Sequence, residues 1–281
     1  MLKKSLLAIA LSLGLSANLA ITGLVAVAES TSNTVTTKQN TKQVRRNPVR
    51  RNTVRRGGLP FKTLGGRATG NREGGAQRGS CTQDQAITAL LPPTPQGIEE
   101  TKMPVEVTVS DHPTFFVNVP ATNAKEALFV LRNDKDDVLL KEYIKLNNTK
   151  SGIIAYKLPK SFKGLEVGQK YIWRFSLLCN RDDNSGNPRT SAWVQRIEPT
   201  AAVAGQLQAA KDELDRFSVY ASNGFWQDTL KTLTDLRAAN PSDEIVQENW
   251  QSILDSVNLS SLVDQPVISL TGIPAEDYDF D

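Results

Sequence analysis

The spacing of apolar and polar residues changes character three times along the chain. Leu6 to Val27 is a nearly unbroken apolar run behind Met1-Leu2-Lys3-Lys4, and it reaches Ala26-Val27-Ala28 just before Glu29. Residues 29–80 show no sustained period. From Pro104 to Glu198 the period is two. "VEVTV", "PTFFVNVP", "ALFVLR", "VLLKEYIKL", "GIIAYKLP", "KYIWRFSLLCN" and "SAWVQRIE" read as seven short strands with turn signals between them. "NDKDD" joins the third and fourth as a hairpin tip. After Pro199 the period lengthens to that of a helix. Val203, Leu207, Ala210, Leu214, Phe217 and Tyr220 line one helix face. Trp226, Leu230, Leu233 and Leu236 predict a second helix, and Val246, Trp250, Ile253 and Val257 a third.

These periods predict a mainly β protein with a C-terminal α part. The expected order is a leader at 1–28, a disordered basic tail at 29–80, a β-sandwich at 81–199, a helical cap at 200–263 and an acidic tail at 264–281. The stretch "LEVGQKYIW" places Leu165, Gly168 and Tyr171 as fibronectin type III domains place the residues of their tyrosine corner, with Trp173 following. An immunoglobulin/fibronectin III-like sandwich is therefore the expected architecture; a jelly roll or small barrel is compatible with the same pattern. "YASNGFWQDTLKTLTDLRAANPSD" resembles one tetratricopeptide unit at Tyr220, Gly224, Trp226, Leu230 and Pro241. It departs at Thr229, where that repeat has a small residue. A single unit lacks the neighbours that bury its faces, so a cap packed on the sandwich is expected ahead of a peptide-binding groove.

Charge sharpens this division. The net charge of +3 hides eleven Lys/Arg against one acid over Lys42–Ser80, and 19 Lys/Arg against 28 Asp/Glu over Cys81–Asp281. The tail is rich in Ser, Thr, Asn, Gly and Arg, and cannot bury enough apolar surface to offset its ordering entropy. Its pairs Arg45-Arg46, Arg50-Arg51 and Arg55-Arg56 are candidate contacts to anionic lipid headgroups or an envelope polymer. The bland reading of the same run is a solvated, self-repelling linker. The charged start, apolar stretch and small-x-small site of residues 1–28 read as a cleaved secretory signal peptide, with an uncleaved anchor as the competing reading. Periplasmic or secreted localisation follows. Nucleic acid is then not an expected partner, although RGG-like runs alone would suggest RNA. No cysteine precedes residue 81, so the chain is not expected to be a lipoprotein.

The chain has two cysteines. Strand parity places Cys179 on the inward face with Tyr171, Trp173, Phe175 and Leu177, opposite Arg174, Ser176 and Asn180. In an oxidising compartment Cys81 and Cys179 are expected to pair, against the alternative of two separately buried thiols.

Motifs for chemistry are sparse. The single His112 sits before Pro113 at the start of a strand and reads as a turn residue. No nucleophile elbow, zinc-binding helix or phosphate loop is present. "NRDDNSGN" has Asx spacing reminiscent of a calcium loop, but Gly186 comes one place late and no Glu follows at the twelfth position, so a polar turn is expected. No cofactor or metal is expected. With 28 acids over Cys81–Asp281, accidental carboxylate pairs are many.

The ordered string "RGSC", "ITALLP", "HPTFFVNVP", "ALFVL", "LEVGQKYIWRFSLLCN", "WVQRIEP", "YASNGFWQDTLKTLTDLR" and "ENWQSIL" resembles the cyanobacterial family known as domain of unknown function 928 over residues 70–263. Both cysteines fall at motif positions, and Phe115-Phe116 stands where the family tends to carry an aromatic pair with Trp. The resemblance implies an extracytoplasmic cyanobacterial protein and adds no activity. The expected function is a non-catalytic, envelope-associated adaptor that binds a protein or envelope polymer. The alternatives are carbohydrate recognition through Trp193 or through Phe116, which parity turns outward, and a hydrolase built on an acid pair.

Overall fold

The computed structural model describes residues 58–61, 81–82, 85–93, 105–147 and 150–278. Among these, ten strands form two sheets, and four helices follow the eighth strand. The strands are β1 (Thr88–Ala89), β2 (Glu106–Thr108), β3 (Thr114–Val119), β4 (Glu126–Asn133), β5 (Val138–Lys145), β6 (Gly152–Lys157), β7 (Lys170–Leu177), β8 (Arg189–Arg196), β9 (Val267–Leu270) and β10 (Ile273–Pro274). The smaller sheet has the order β1-β3-β6-β9, and the larger β10-β5-β4-β7-β8-β2. Pairing between these strands is antiparallel except for β2 with β8 and β6 with β9.

Aromatic residues hold the sheets together. Phe115 on the smaller sheet lies 5.2 Å from Phe129 and 5.0 Å from Trp173 on the larger, and Phe129 lies 4.2 Å from Tyr156. Inward positions of β7 are filled by Tyr171, Trp173, Phe175 and Leu177, all buried, while Lys170 and Arg174 face solvent. The alternation expected for this strand is met, because one of its faces is packed and the other open. At its start, Gly168 takes φ +82, a backbone conformation that side chains rarely adopt. The Tyr171 hydroxyl then accepts the backbone N–H of Glu166 at 2.9 Å. The corner is tied to β8: Arg196 donates to the Leu165 carbonyl at 2.9 Å, and Gly168 N–H to the Arg196 carbonyl at 2.8 Å.

Helices α1 (Ala201–Ala209), α2 (Glu213–Ser222), α3 (Trp226–Ala239) and α4 (Glu244–Ser256) form the C-terminal layer. The first predicted helix is two. Asp212 accepts the N–H of Asp215 and starts a new helix there, so the apolar stripe from Val203 to Tyr220 is shared between α1 and α2. Gly224, at φ +76, makes the turn into α3. Helix α3 packs on β2 and β3, and the Trp226 indole N–H donates to the Leu90 carbonyl at 2.6 Å. One continuous apolar core therefore runs from between the sheets into the helices.

Four further expectations are corrected. Phe116 does not face solvent; it is 1% exposed, because the outer side of β3 is covered by the helical layer. Cys179 is not a strand residue: β7 ends at Leu177, and Cys179 is half-buried two positions on, packed against the core from its rim. The acidic segment 264–281 is not a bare tail through residue 278, since β9 extends the smaller sheet beside β6 and β10 the larger beside β5. Nor is the basic segment free of the body throughout. Leu59 N–H donates to Asn249 Oδ1 at 3.1 Å and Phe61 N–H to Ser256 Oγ at 3.2 Å, while the Phe61 ring meets Trp226 edge-on at 4.7 Å.

Candidate functional site

The residues of the larger sheet that point away from the core build the site. On β4 these are Leu128, Val130 and Arg132; on β7, Ile172, Arg174 and Ser176; on β8, Arg189, Ser191 and Trp193. Register sets Val130 between Lys141 and Arg174, Leu128 between Tyr143 and Ser176, Arg174 beside Ser191, and Ser176 beside Arg189. Leu128, Val130 and Leu178 form an apolar floor, and Arg132, Lys141, Arg174 and Arg189 stand around it. This recess of about 320 Å³ continues into a second of about 390 Å³ walled by Tyr143, Arg181 and Asp182, the two sharing Leu128, Lys141, Leu178 and Asn184. Together they make one groove.

The wall at the far end is the loop after β7. Asn187, itself buried, accepts the N–H groups of Cys179 and Asn180 on Oδ1 and donates from Nδ2 to the Asn180 carbonyl at 2.8 Å. Asn180 Oδ1 accepts the amides of Asp182 and Asp183. The Asx residues that resemble a calcium loop are thus consumed by their own backbone. Among the described residues no cluster of three or more His, Cys, Asp or Glu side chains could hold a metal ion.

Charge in the groove is lopsided. Arg132 pairs with Asp136 at 2.9 Å, and Arg181 is held by both oxygens of Glu126, which also accepts the Tyr278 hydroxyl. Lys141 lies 5.6 Å from the centre of the Tyr143 ring. Arg174 and Arg189 are exposed and make no ion pair or side-chain hydrogen bond among the described residues. Partial desolvation, with repulsion from Arg189 and Arg132, lowers the Arg174 guanidinium below the ordinary arginine range, against the opposing pull of Asp136. A body with nine more acids than bases over Cys81–Asp281 concentrates five cations here. Such a concavity attracts anions.

Three buried acids lie elsewhere, in two places. Glu142 is 1% exposed; its carboxylate accepts the Tyr156 hydroxyl at 2.7 Å and lies under Gly272, where a Cβ would sit 2.1 Å from Oε2. Burial raises its pKa, the Tyr156 hydrogen bond opposes that, and Glu276 adds to it. The second group joins β2 to α3. Gln227 Nε2 donates to Glu106 Oε2, leaving Glu106 Oε1 and Gln227 Oε1 buried without partners in the described structure. Burial pushes the Glu106 carboxyl well above the ordinary range, with the Gln227 bond opposing. Asp228 accepts the Val109 N–H at 3.1 Å, and burial pushes its carboxyl up to about 6. Both groups have little exposure but border surface recesses: Glu142 lines one with Glu276 and Asp277, and Gln227 and Asp228 line another with His112 and Lys231.

Cys81 and Cys179 form a disulfide, with Cα atoms 5.4 Å apart. It ties the segment before β1 to the loop that walls the groove. Leu165 and Trp173 are buried structural residues, although the Trp173 indole N–H finds no acceptor among the described residues. His112 bridges its turn, with Nε2 2.9 Å from the Phe162 carbonyl and Nδ1 3.0 Å from Asp111. Trp193 is half-buried and lies on the groove side of the sheet. Arg45, Arg46, Arg50, Arg51, Arg55 and Arg56 lie outside the described residues. The groove cations come from four strands and a loop, so only outward parity at Arg174 hinted at them.

The family described as Domain of Unknown Function (DUF928) matches residues 73–267. That span is well over half of the chain, and the chain belongs to this family. It takes in the disulfide and the groove-lining strands and stops before β10. No curated protein and no solved structure matches the chain.

Proposed function

We propose that this member of the Domain of Unknown Function 928 family is an exported, non-catalytic interaction protein that holds an anionic ligand in the groove of its larger sheet. The observation that carries the reading is the pair Arg174 and Arg189, two accessible guanidinium groups that form no ion pair among the described residues of an otherwise acidic body. Arginine's planar fork suits carboxylate, sulfate or phosphate. The low exposure of Glu142 and Glu106, 1% and 6%, favours binding over hydrolysis. The Cys81–Cys179 disulfide supports an oxidising compartment, as the leader-like sequence of residues 1–28 does. The Arg pairs of the tail add a second, less specific anionic contact within the envelope.

For the scaffold, the orders β1-β3-β6 and β5-β4-β7-β8-β2, together with the Tyr171–Glu166 hydrogen bond, favour an immunoglobulin/fibronectin III-like sandwich. The turn at Gly224 between packed helices α2 and α3 favours a tetratricopeptide-like unit serving as a cap.

Cosedimentation of the exported full chain with isolated cell envelope tests this reading. Arg174→Gln/Arg189→Gln and a deletion of residues 42–56, which spares the Leu59–Phe61 anchor, should each weaken binding. Unchanged binding in both would overturn it.

A further inference from the structure

We infer that the ligand of the groove is an acidic polysaccharide, a run of sugar rings carrying carboxylate or sulfate groups. This deepens the anion-binding reading and rests on it. Three features of the groove and the sheet face beside it select the class.

The first is the floor. Leu128, Val130 and Leu178 present carbon, while the cations stand at the sides. A sugar ring has an apolar C–H face and carries its charged and hydroxyl groups around the rim, so it can lay one on the floor and turn the other to the arginines. An extended acidic peptide has no such division. Its backbone N–H and C=O groups would be pressed on the apolar floor unpaired, at a cost of about 1–3 kcal/mol each. It could not recover them by adding a strand, because β4 and β7 are hydrogen-bonded on both sides to neighbours in the sheet.

The second is Trp193. It is the next outward residue on β8 after Ser191, which pairs with Arg174. Trp193 itself pairs with Ile172, beyond the residues that line the two recesses, and its position is diagonal to Arg174 on the same sheet face, roughly 7–8 Å away. A half-exposed aromatic beside an unpaired guanidinium offers a ring platform and a charge clamp to adjacent sugar units. At the other end Tyr143, its ring 4.6 Å from that of Tyr278, stands beside Lys141, while the nearby Arg181 is held by Glu126.

The third is concavity. The cations line a recess, and a bilayer surface presents its headgroups on a plane that cannot enter one. Arg132 and Arg181 are engaged by Asp136 and Glu126. Arg174 and Arg189 are left to meet the ligand's anionic groups, with Lys141 between the two recesses.

Calorimetric titration of the exported full chain tests the class, using oligogalacturonate, sulfated dextran oligomers, neutral dextran, polyglutamate and phosphatidylglycerol vesicles. The basic tail contributes equally to wild type and groove variants, so the readout is their difference. Either charged glycan should lose about tenfold or more in affinity with Arg174→Gln/Arg189→Gln, in line with loss of charge-assisted bonds. Trp193→Ala should weaken the same glycan about fivefold and leave polyglutamate unchanged, an effect a pure charge patch would not give. Lys211→Gln, exposed between α1 and α2 and outside the lining of both recesses, should change nothing. The oligogalacturonate and dextran sulfate arms tell carboxylate from sulfate, and groove-dependent binding of either supports the inference. Neutral dextran binding as well as the charged glycans would overturn it. So would a groove-dependent signal seen with polyglutamate or vesicles but with neither glycan, which leaves the anion reading standing. Equal binding of all five by wild type and double variant, with thermal unfolding unaltered, would overturn the anion reading itself.

Discussion

Arg174 and Arg189 stand on adjacent strands of one sheet face, each opposite a serine of the other's strand: Arg174 beside Ser191 and Arg189 beside Ser176. Neither forms an ion pair among the described residues, and each repels the other. Such an arrangement contributes little to folding. Replacing either by Gln is expected to change unfolding free energy by no more than about 0.5 kcal/mol, as for ordinary surface sites. Denaturant titration checks this, and a loss of several kcal/mol would assign the arginines a structural role instead.

The disulfide has a different profile. It closes a loop with a sequence separation of 98, for which chain-entropy reasoning gives about 4–5 kcal/mol. Cys81→Ser is expected to cost about 2–5 kcal/mol of stability, with a smaller effect on binding, because the core between the sheets forms without it. Alkylation of the denatured, unreduced exported protein should find no free thiol; two would contradict the bond.

Stability should depend on pH through the buried acids at the β2–α3 junction. The folded pKa values of Asp228 and Glu106 are raised by burial, so the folded state holds these protons more tightly. Their contribution is complete below the unfolded pKa and is lost as pH rises through the folded one. For Asp228, raised from 3.8 to about 6, the loss falls between about pH 4 and 6 and amounts to roughly 3 kcal/mol. Asp228→Asn should remove that part of the slope in urea titrations. Glu106→Gln should flatten it further at higher pH, since the neutral side chain can complete the pair with Gln227 Oε1.

Phe61 is the apolar anchor of the segment that precedes the body. Phe61→Ala is expected to cost on the order of 2–3 kcal/mol, below the range for fully enclosed phenylalanines because only one side of the ring meets Trp226. Trp226 emission should shift to the red as its ring loses this cover. An unchanged spectrum would contradict the contact.

How much of this is legible in the sequence depends on local contrast. Tyr171, Trp173, Phe175 and Leu177 can be read inward because Arg174 and Lys170 mark the opposite face as wet. Phe116 misleads for the converse reason: with both faces of β3 covered, a period of two carries no direction. "VISL" and "IP" look like part of an acidic tail, and only pairing with β6 and β5 makes them strands. "LPF" at residues 59–61 is an available signal, an apolar triplet in a basic run. The groove is not available at all. Arg132, Lys141, Arg174, Arg181 and Arg189 are scattered over the sequence and are gathered by strand order alone.

In the binding mode proposed above, Arg174 and Arg189 meet the ligand directly. The most direct test follows the side-chain Nε–Hε resonances of the arginines in ¹⁵N-labelled full chain during titration with oligogalacturonate and with dextran sulfate oligomers. Resonances of Arg174 and Arg189 should shift together and saturate at a common ligand concentration, while Arg216, exposed on α2, stays in place. If the only arginines to shift are those of residues 45–56, and Arg174 and Arg189 do not move, the groove is not the binding site.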